Sequence, residues 1–530
     1  MTRRSLSSVP PLSRFTPFLR PSALCSLLAI AATGLACGGT DSPAPGSAGH
    51  GPSAGGPGAG AGAVAGSPGG GAGPGSAGMS ASGGTVGGAG SGTGGNSTAG
   101  SSTAGSGTAG ANTAGAAPSA GSGGTGAGGG GAGNGAGTSG SGTSAGAPGA
   151  GSGAGGAGAT HWVGTWTASP YATASDGQPP AALANSVLRQ ITHASLGGSQ
   201  IRVQFSNKQG TSALTIKAAH VALCKATPLV DGSIDATTDK ALAFSGMATV
   251  TVAAGMEVWS DAVDFALPAL GNVSITTAFG SVPSDITSHN GARTDSYVQA
   301  NSTDVSAANL TSAPHNQHWF FISGMDVMAP AAAKGIVAIG DSITDGRGVD
   351  PNANNRWTDI LAARLHANAA TANVSLMNQG IGATNLVGTG TAAEARFARD
   401  VLGQSGVKYA IIYDGVNDIG GGASSASMKA VYDKLVKAGR DKGLLVFGAT
   451  IAPFGGNSYY SAAHESVRQE VNTYIKSGAF DGVIDFDAAV TDGGNPPKLA
   501  ASTNSADQLH PGPAGYKMMA DKVDLTLFTK

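Results

Sequence analysis

Residues 335–346 read GIVAIGDSITDG. Four successive apolar residues, Ile336 to Ile339, predict a strand that is buried on both faces, as strands of a parallel sheet are. The glycine and polar residues that follow predict a loop at the carboxyl end of this strand. The stretch therefore favours an α/β fold, in which the loops after the strands hold the ligand site.

The alternation of strand, loop and helix continues to the end of the chain. Between the predicted strands, apolar residues recur at helical spacing, as in the segment around Trp357, Leu361 and Leu365. This order predicts a flavodoxin-like, doubly wound α/β domain over residues 334–530, built on a parallel five-stranded sheet. The predicted strands are Gly335–Ile339, Val374–Met377, Tyr409–Tyr413, Leu444–Gly448 and Val483–Phe486.

Three of the predicted loops carry residues suited to nucleophilic catalysis. Ser342 follows the first strand, and Asn417, in the sequence GVND, follows the third. Asp507 and His510 lie three residues apart, just before the last predicted helix. The tripeptide around Ser342 alone fits a helix-initiating turn equally well. The carboxyl ends of parallel strands meet at one sheet edge, however, and there a serine, a base and an amide donor can act together.

These motifs, in this order, resemble the SGNH (GDSL-type) hydrolase superfamily across Lys334–Lys530. The resemblance implies an acyl-serine mechanism with Ser342 as nucleophile, His510 as its base and Asp507 as the orienting carboxylate. It also implies that the oxyanion is bound by the Ser342 N–H, by the loop after the second strand and by the amide of Asn417.

The loop after the second strand departs from the family pattern at one position. Family members often carry two glycines where this chain has Gly382 and Ala383. The donor expected there is a backbone N–H, so alanine can supply it where its φ/ψ angles are accessible. Both residues are therefore candidate oxyanion donors.

Other titratable residues give weaker indications. Asp345 and Arg347, close to Ser342, either contact substrate or serve as a helix cap or ion pair. The remaining histidines show no metal-ligand spacing, so the sequence predicts neither a metal nor a cofactor. They include His315, His318, His366 and His464.

Residues 161–330 show the alternation typical of half-buried strands. The run Ile201–Phe205 is the clearest case, and glycine-containing turns separate it from similar runs. This pattern predicts an all-β sandwich or jelly roll. Its opening, HWVGTW at 161–166, resembles the front domain of xylan-esterase-like members of the superfamily. Trp162, Trp166 and Trp259 either stack on sugar rings or belong to the β core.

The amino-terminal segment predicts export. Four arginines precede an apolar run from Ala23 to Ala36, which ends at Cys37. This is the layout of a secretory signal peptide over residues 1–37. The sequence before Cys37 resembles a bacterial lipobox, except that Gly34 stands where leucine is usual. We therefore expect an outer-membrane or cell-surface lipoprotein, with plain secretion as the alternative.

Residues 38–160 consist almost entirely of Gly, Ala, Ser, Thr and Pro, which predicts a disordered linker. The formal net charge of −2 excludes the basic footprint that nucleic-acid binding requires. Acylated carbohydrate is the leading expectation for the substrate. The alternatives are a lipase or thioesterase-like acylhydrolase and a surface binding protein whose β region does the work.

Overall fold

The computed structural model describes residues 159–225, 229, 231–310 and 312–530. The predicted signal peptide, Cys37 and nearly all of the predicted linker lie outside these residues. No helix in the described ranges combines the length and apolar character needed to cross a bilayer.

The first half of the described chain, up to Pro330, is built from β strands. Its strands are β1 Thr160–Thr167, β2 Tyr171–Ala172, β3 Val187–His193, β4 Gly198–Ser206, β5 Leu214–Leu223, β6 Lys240–Ala241, β7 Val250–Val252, β8 Glu257–Trp259, β9 Val263–Leu267, β10 Asn272–Phe279, β11 Thr287–His289, β12 Ser296–Gln299, β13 His315–Asn316, β14 Trp319–Phe320 and β15 Ile322–Pro330.

These strands form antiparallel sheets. One sheet has the order β1-β15-β4-β8, with β9 also paired to β4. A second has the order β13-β12-β3-β10-β5-β6, with β7 paired to β5, and a small third sheet joins β14, β11 and β2. Alternate side chains of the two larger sheets, among them Val203, Phe205, Ile216 and Ile275, share one buried apolar cluster. The assignment of this region as a jelly roll stays a prediction.

The second half is an α/β domain. Its strands are β16 Lys334–Gly340, β17 Val374–Gly380, β18 Val407–Tyr413, β19 Leu445–Ala449 and β20 Gly482–Ile484. Its helices are α1 Ser342–Asp345, α2 Trp357–Ala367, α3 Ala393–Phe397, α4 Val416–Gly420, α5 Ser425–Asp441, α6 Ala462–Tyr474, α7 Phe486–Val490 and α8 Pro513–Lys522. Single π turns, Ala398–Leu402 and Ile475–Ala479, extend α3 and α6.

All five strands of this domain pair in parallel, in the order β17-β16-β18-β19-β20. Helix α2 packs with α8, and α5 packs with α6 and α3. The prediction of a parallel, doubly wound five-stranded sheet is confirmed. Ile336 to Ile339 are fully buried, as strands covered on both faces must be.

The predicted carboxyl end of the last strand was wrong. It was predicted to reach Phe486, but β20 stops at Ile484, because the Asp485 side chain accepts the N–H of Ala488 and caps helix α7. Phe486 is therefore helical. The other four strands differ from their predicted bounds by up to three residues, with β17 continuing to Gly380.

The β-rich part packs directly against the open edge of the parallel sheet. Strand β1 lies beside the edge strand β17. The Gly164 N–H donates to the Ser405 carbonyl over 3.0 Å, and the Leu376 N–H donates to Ser195 Oγ over 2.9 Å. A Cβ on Gly164 would lie 2.2 Å from Met377 Sδ, so the two strands meet at a glycine. The two parts therefore share a tight interface.

Candidate active site

Ser342 lies at the first residue of a short helix, immediately after strand β16. The Asp341 side chain accepts the Ile343 N–H over 2.8 Å and caps this helix, and Gly346, at φ 94°, ends it. A Cβ on Gly340 would meet the Tyr413 carbonyl oxygen at 2.2 Å, so a glycine is needed where strand and helix turn. The serine is 5% exposed, and its position is fixed by the strand, the cap and the turn.

A continuous chain of hydrogen bonds joins Ser342, His510 and Asp507. Ser342 Oγ lies 2.8 Å from His510 Nε2, and His510 Nδ1 lies 2.7 Å from Asp507 Oδ2. Because a carboxylate only accepts, Nδ1 carries the proton and Nε2 is left to accept from the serine hydroxyl. The structure thus brings Ser342, in the loop after the first strand, together with Asp507 and His510, in the loop before the last helix.

Asp507 is held as a carboxylate. Burial acts to raise its pKa, but the backbone and ring of His510 and the backbone N–H of Leu509 donate to it and lower the pKa to about 2. Burial lowers the pKa of His510 below its ordinary value of 6.5, against the opposing pull of Asp507, and the charges of Arg347 and Arg293 add to the lowering. At neutral pH the pair is therefore carboxylate and neutral imidazole, the forms that a general base requires.

The amide of Asn417 has a fixed orientation. Its Nδ2 donates to the Thr384 carbonyl over 2.7 Å, and its Oδ1 accepts from the Tyr459 hydroxyl over 3.1 Å. These two partners determine which end of the amide is nitrogen, and they leave one N–H free to donate elsewhere. Tyr459 was missed in the sequence, where an isolated tyrosine in a loop carries no motif.

The loop after β17 is bonded to the loop that carries the serine, since the Ile381 N–H donates to the Gly340 carbonyl over 3.0 Å. Asp418 accepts the N–H groups of Leu386 and Val387 over 2.7 and 3.0 Å and so anchors this loop. Ala383 adopts a left-handed conformation with φ 59°, a region that glycine enters more easily. Among the described residues, no oxygen accepts the N–H of Gly382 or Ala383. Both candidates are therefore available as donors.

Several buried titratable side chains lie close to the ends of the strands that precede Ser342 and Asn417. Burial raises the pKa of Asp341 to about 7, despite the bond from the Ile343 N–H, and Asp418 reinforces the rise. The pKa of the buried Asp414 lies well above its ordinary value, again because of burial and then of Asp341. The positive charge of Arg396 acts to lower both pKa values. Its guanidinium also donates to the carbonyls of Gly340 and Gln379 over 2.8 and 2.5 Å. Arg396 thus fixes the ends of two neighbouring strands.

Asp345 serves as an ion pair to the β-rich part. It is 4% exposed and accepts from Arg293 Nη2 over 2.8 Å and from His289 Nε2 over 3.0 Å. Of the two roles considered for Asp345, the structure shows the ion pair. Asp345 belongs to helix α1, which begins at Ser342, so the β-rich part contacts the same short helix as the serine. No sequence motif marked His289 or Arg293.

The described tryptophans are placed differently from one another. Trp166 is 6% exposed and packs edge-on against Trp319 with ring centroids 4.9 Å apart, so it belongs to the core. Trp162 and Trp259 are half-buried, and the Arg202 guanidinium lies over both rings at 4.7 and 4.5 Å. In the described ranges, no three His, Cys, Asp or Glu side chains lie together as a metal site would need.

Residues 338–518 match the family described as GDSL-like lipase/acylhydrolase. This part of the chain is a GDSL-type hydrolase domain. It belongs to the SGNH superfamily and is a carboxylester hydrolase. Comparison of the chain with curated proteins gives no match.

Solved structures resemble part of the chain at low identity. A member of the lipolytic protein G-D-S-L family from Veillonella parvula is 22% identical, with 37% of this chain and 100% of that chain covered and a TM-score of 0.26. A GDSL-like lipase from Bacteroides thetaiotaomicron is 18% identical (36% and 84% covered, TM-score 0.27). An acetylxylan esterase from Geobacillus stearothermophilus is 19% identical (36% and 91% covered, TM-score 0.29). Likeness at this level carries no substrate over to this chain.

Proposed function

We propose that this protein is an exported serine ester hydrolase that removes short acyl groups, acetyl above all, from carbohydrate. The observation that carries the catalytic part is the hydrogen-bond chain from Ser342 through His510 to Asp507, at 2.8 and 2.7 Å.

In the proposed reaction, Ser342 Oγ attacks the ester carbonyl while His510 Nε2 takes the hydroxyl proton. Asp507 stabilises the imidazolium that forms. The tetrahedral intermediate collapses, the carbon–oxygen bond to the alcohol breaks, and His510 returns the proton to the leaving alcohol. Water then attacks the acyl-serine, again with His510 as base, and releases the carboxylic acid and the free serine.

The developing oxyanion is held by backbone and amide N–H groups. The Ser342 N–H stands at the start of helix α1, and the unbonded N–H groups of Gly382 and Ala383 and the free amide N–H of Asn417 supply the rest. Removal of one such donor typically costs about 10²- to 10³-fold in rate.

Hydrolysis of p-nitrophenyl acetate by the wild type and by Ser342→Ala tests the catalytic part. We expect the variant to lose about 10⁴-fold or more in kcat, since the nucleophile is removed from a triad that acts as a unit. Equal rates would leave the β-rich part as the functional region and favour the alternative of a surface binding protein.

The proposed acyl group and alcohol come from a resemblance in the β-rich part. The carbohydrate proposal rests on the opening HWVGTW at 161–166, which resembles xylan-esterase-like members of the superfamily. The alternative is a lipase or thioesterase-like acylhydrolase with the same triad. A panel of p-nitrophenyl esters from acetate to palmitate, with acetylated xylan beside it, separates the two. Preference for long chains would remove the carbohydrate proposal.

Export and attachment through Cys37 are proposed from the sequence. A lipid on Cys37 with a long uncharged linker after it would hold the hydrolase away from the membrane surface. Detergent phase separation of the mature protein, with Cys37→Ser as control, tests this. Partition of both proteins into the aqueous phase would favour plain secretion.

A further inference from the structure

A polar cavity of about 410 Å³ lies where the β-rich part meets the hydrolase domain. Strands β4 and β8 contribute Gln204, Glu257 and Trp259 to its wall, and strand β17 contributes Gln379. The π turn after α3 and the residues beyond it close the other side with Arg399 and Gln404. Ser342, His510 and Asn417 do not line this cavity, so it is separate from the proposed catalytic residues.

Gln379 is an unpartnered amide at this cavity. The residue is 2% exposed, its Oε1 is fully buried, and no described residue bonds to its side chain. Alternation along β17 places Leu376 and Asn378 on the opposite face, where both line a different cavity. Because Oε1 is enclosed by protein, a ligand in the cavity would meet the amide N–H groups of Gln379, which have no partner among the described residues.

The charges around the cavity balance. The wall contains two positive and two negative side chains: Arg202, Arg399, Glu257 and Asp400. Each arginine already forms an ion pair. Arg202 pairs with Asp326 at 2.7 Å, and Arg399 pairs with Asp400 at 2.5 Å. The other polar groups of the wall are amides and hydroxyls. A wall that is neutral overall and rich in both donors and acceptors suits an uncharged, polyhydroxylated ligand.

The apolar part of the wall is small. Trp259 supplies an indole, and Ala168 and Pro170 supply the rest. One aromatic ring among amides suits the C–H face of a sugar ring, whereas an acyl chain would need a mostly apolar lining. Trp162, whose ring also lies against the Arg202 guanidinium, does not line the cavity.

We infer that this cavity binds an uncharged segment of a glycan, with one sugar ring against Trp259 and its hydroxyl groups bonded to Gln379, Gln404 and Glu257. Its volume falls within the range of about 300–1,000 Å³ that small-molecule sites occupy. The inference deepens the proposed function and rests on it for the carbohydrate class, but binding here does not require Ser342.

Calorimetric titration of the whole chain with unacetylated xylohexaose and cellohexaose tests the site. We expect binding of at least one of them, weakened about tenfold by Trp259→Ala, the size of a lost aromatic stacking contact. Gln404→Ala, on the opposite wall, should also weaken binding of the hexaose. This second variant tests the site if Trp259→Ala does not fold. Trp162→Ala is the matched control. It removes the other half of the Arg202 stack and should leave the affinity unchanged.

Hydrolysis of p-nitrophenyl acetate separates this inference from the proposed function. Both cavity variants should retain the wild-type rate. Absence of binding to both neutral hexaoses at millimolar concentration, or binding of a hexagalacturonate alone, would overturn the site while leaving the esterase intact. An equal loss of affinity in Trp162→Ala would also overturn it, because the effect would then come from the stack and not from the cavity wall.

Discussion

Replacement of Tyr459 by phenylalanine should slow catalysis through Asn417 alone. The Tyr459 hydroxyl donates to Asn417 Oδ1 over 3.1 Å and fixes the amide so that its nitrogen points to the Thr384 carbonyl. A neutral hydrogen bond contributes about 0.5 to 1.5 kcal/mol, and one longer than the usual 2.7–2.8 Å for two oxygens belongs in the lower half of that range. We therefore expect kcat on p-nitrophenyl acetate to fall about 2- to 5-fold with KM unchanged.

The double variant makes this prediction specific. Asn417→Ala should lose about 10²- to 10³-fold in kcat, since it removes an oxyanion donor. If Tyr459 acts only by orienting that amide, Tyr459→Phe should have no further effect when combined with Asn417→Ala. Additive losses in the double variant would refute the reasoning, because Tyr459 would then contribute independently of Asn417.

Three further predictions concern conformation and charge. Ala383→Gly should raise the free energy of unfolding by about 0.5 to 1 kcal/mol in chemical denaturation, because the left-handed φ costs alanine more than the added flexibility costs glycine; a lowered value would contradict this. The acid limb of the pH profile of kcat/KM should have its midpoint below pH 6.5, because the pKa of His510 is lowered. Arg347→Ala should move this midpoint to higher pH, since loss of a positive charge raises the pKa of His510. An unchanged midpoint in the variant would contradict this prediction. The stability of the wild type should fall relative to that of Asp341→Asn as pH rises from about 4 to 7, since the raised pKa of this buried carboxyl favours the protonated fold. Thermal unfolding midpoints of the two proteins across this pH range measure the difference in stability. A difference in midpoint that does not change with pH would contradict the prediction.

The parallel sheet and the pairing of His510 with Asp507 could be predicted because their signals are local. Ser342, 168 residues from His510, could be placed beside this pair because the ends of parallel strands share one sheet edge and because the motifs resemble a known family. Ile336 to Ile339 form a continuous apolar run, and Asp507 and His510 belong to one loop, so their contact needs no knowledge of the rest of the fold. The end of β20 could not be placed in this way. An aspartate after an apolar run is compatible with a strand, and only the capping bond of Asp485 to Ala488 shows that the helix begins there.

The residues that support the site could not be predicted, because their contacts join distant positions. His289 and Arg293 reach Asp345 across more than 50 residues of sequence. Tyr459 reaches Asn417 across 42 residues. Such pairs depend on how the β-rich part packs on the edge of the sheet and on the path of long loops, neither of which leaves a periodic pattern.

Identification of the residue that is labelled by diethyl p-nitrophenyl phosphate tests the acyl-serine account most directly. This reagent phosphorylates a serine that an adjacent base has activated, and peptide mass spectrometry locates the adduct. The account predicts one diethylphosphoryl group, on Ser342, and none on the Ser342→Ala protein. Labelling of another residue, or a fully active protein that carries no label, would contradict it.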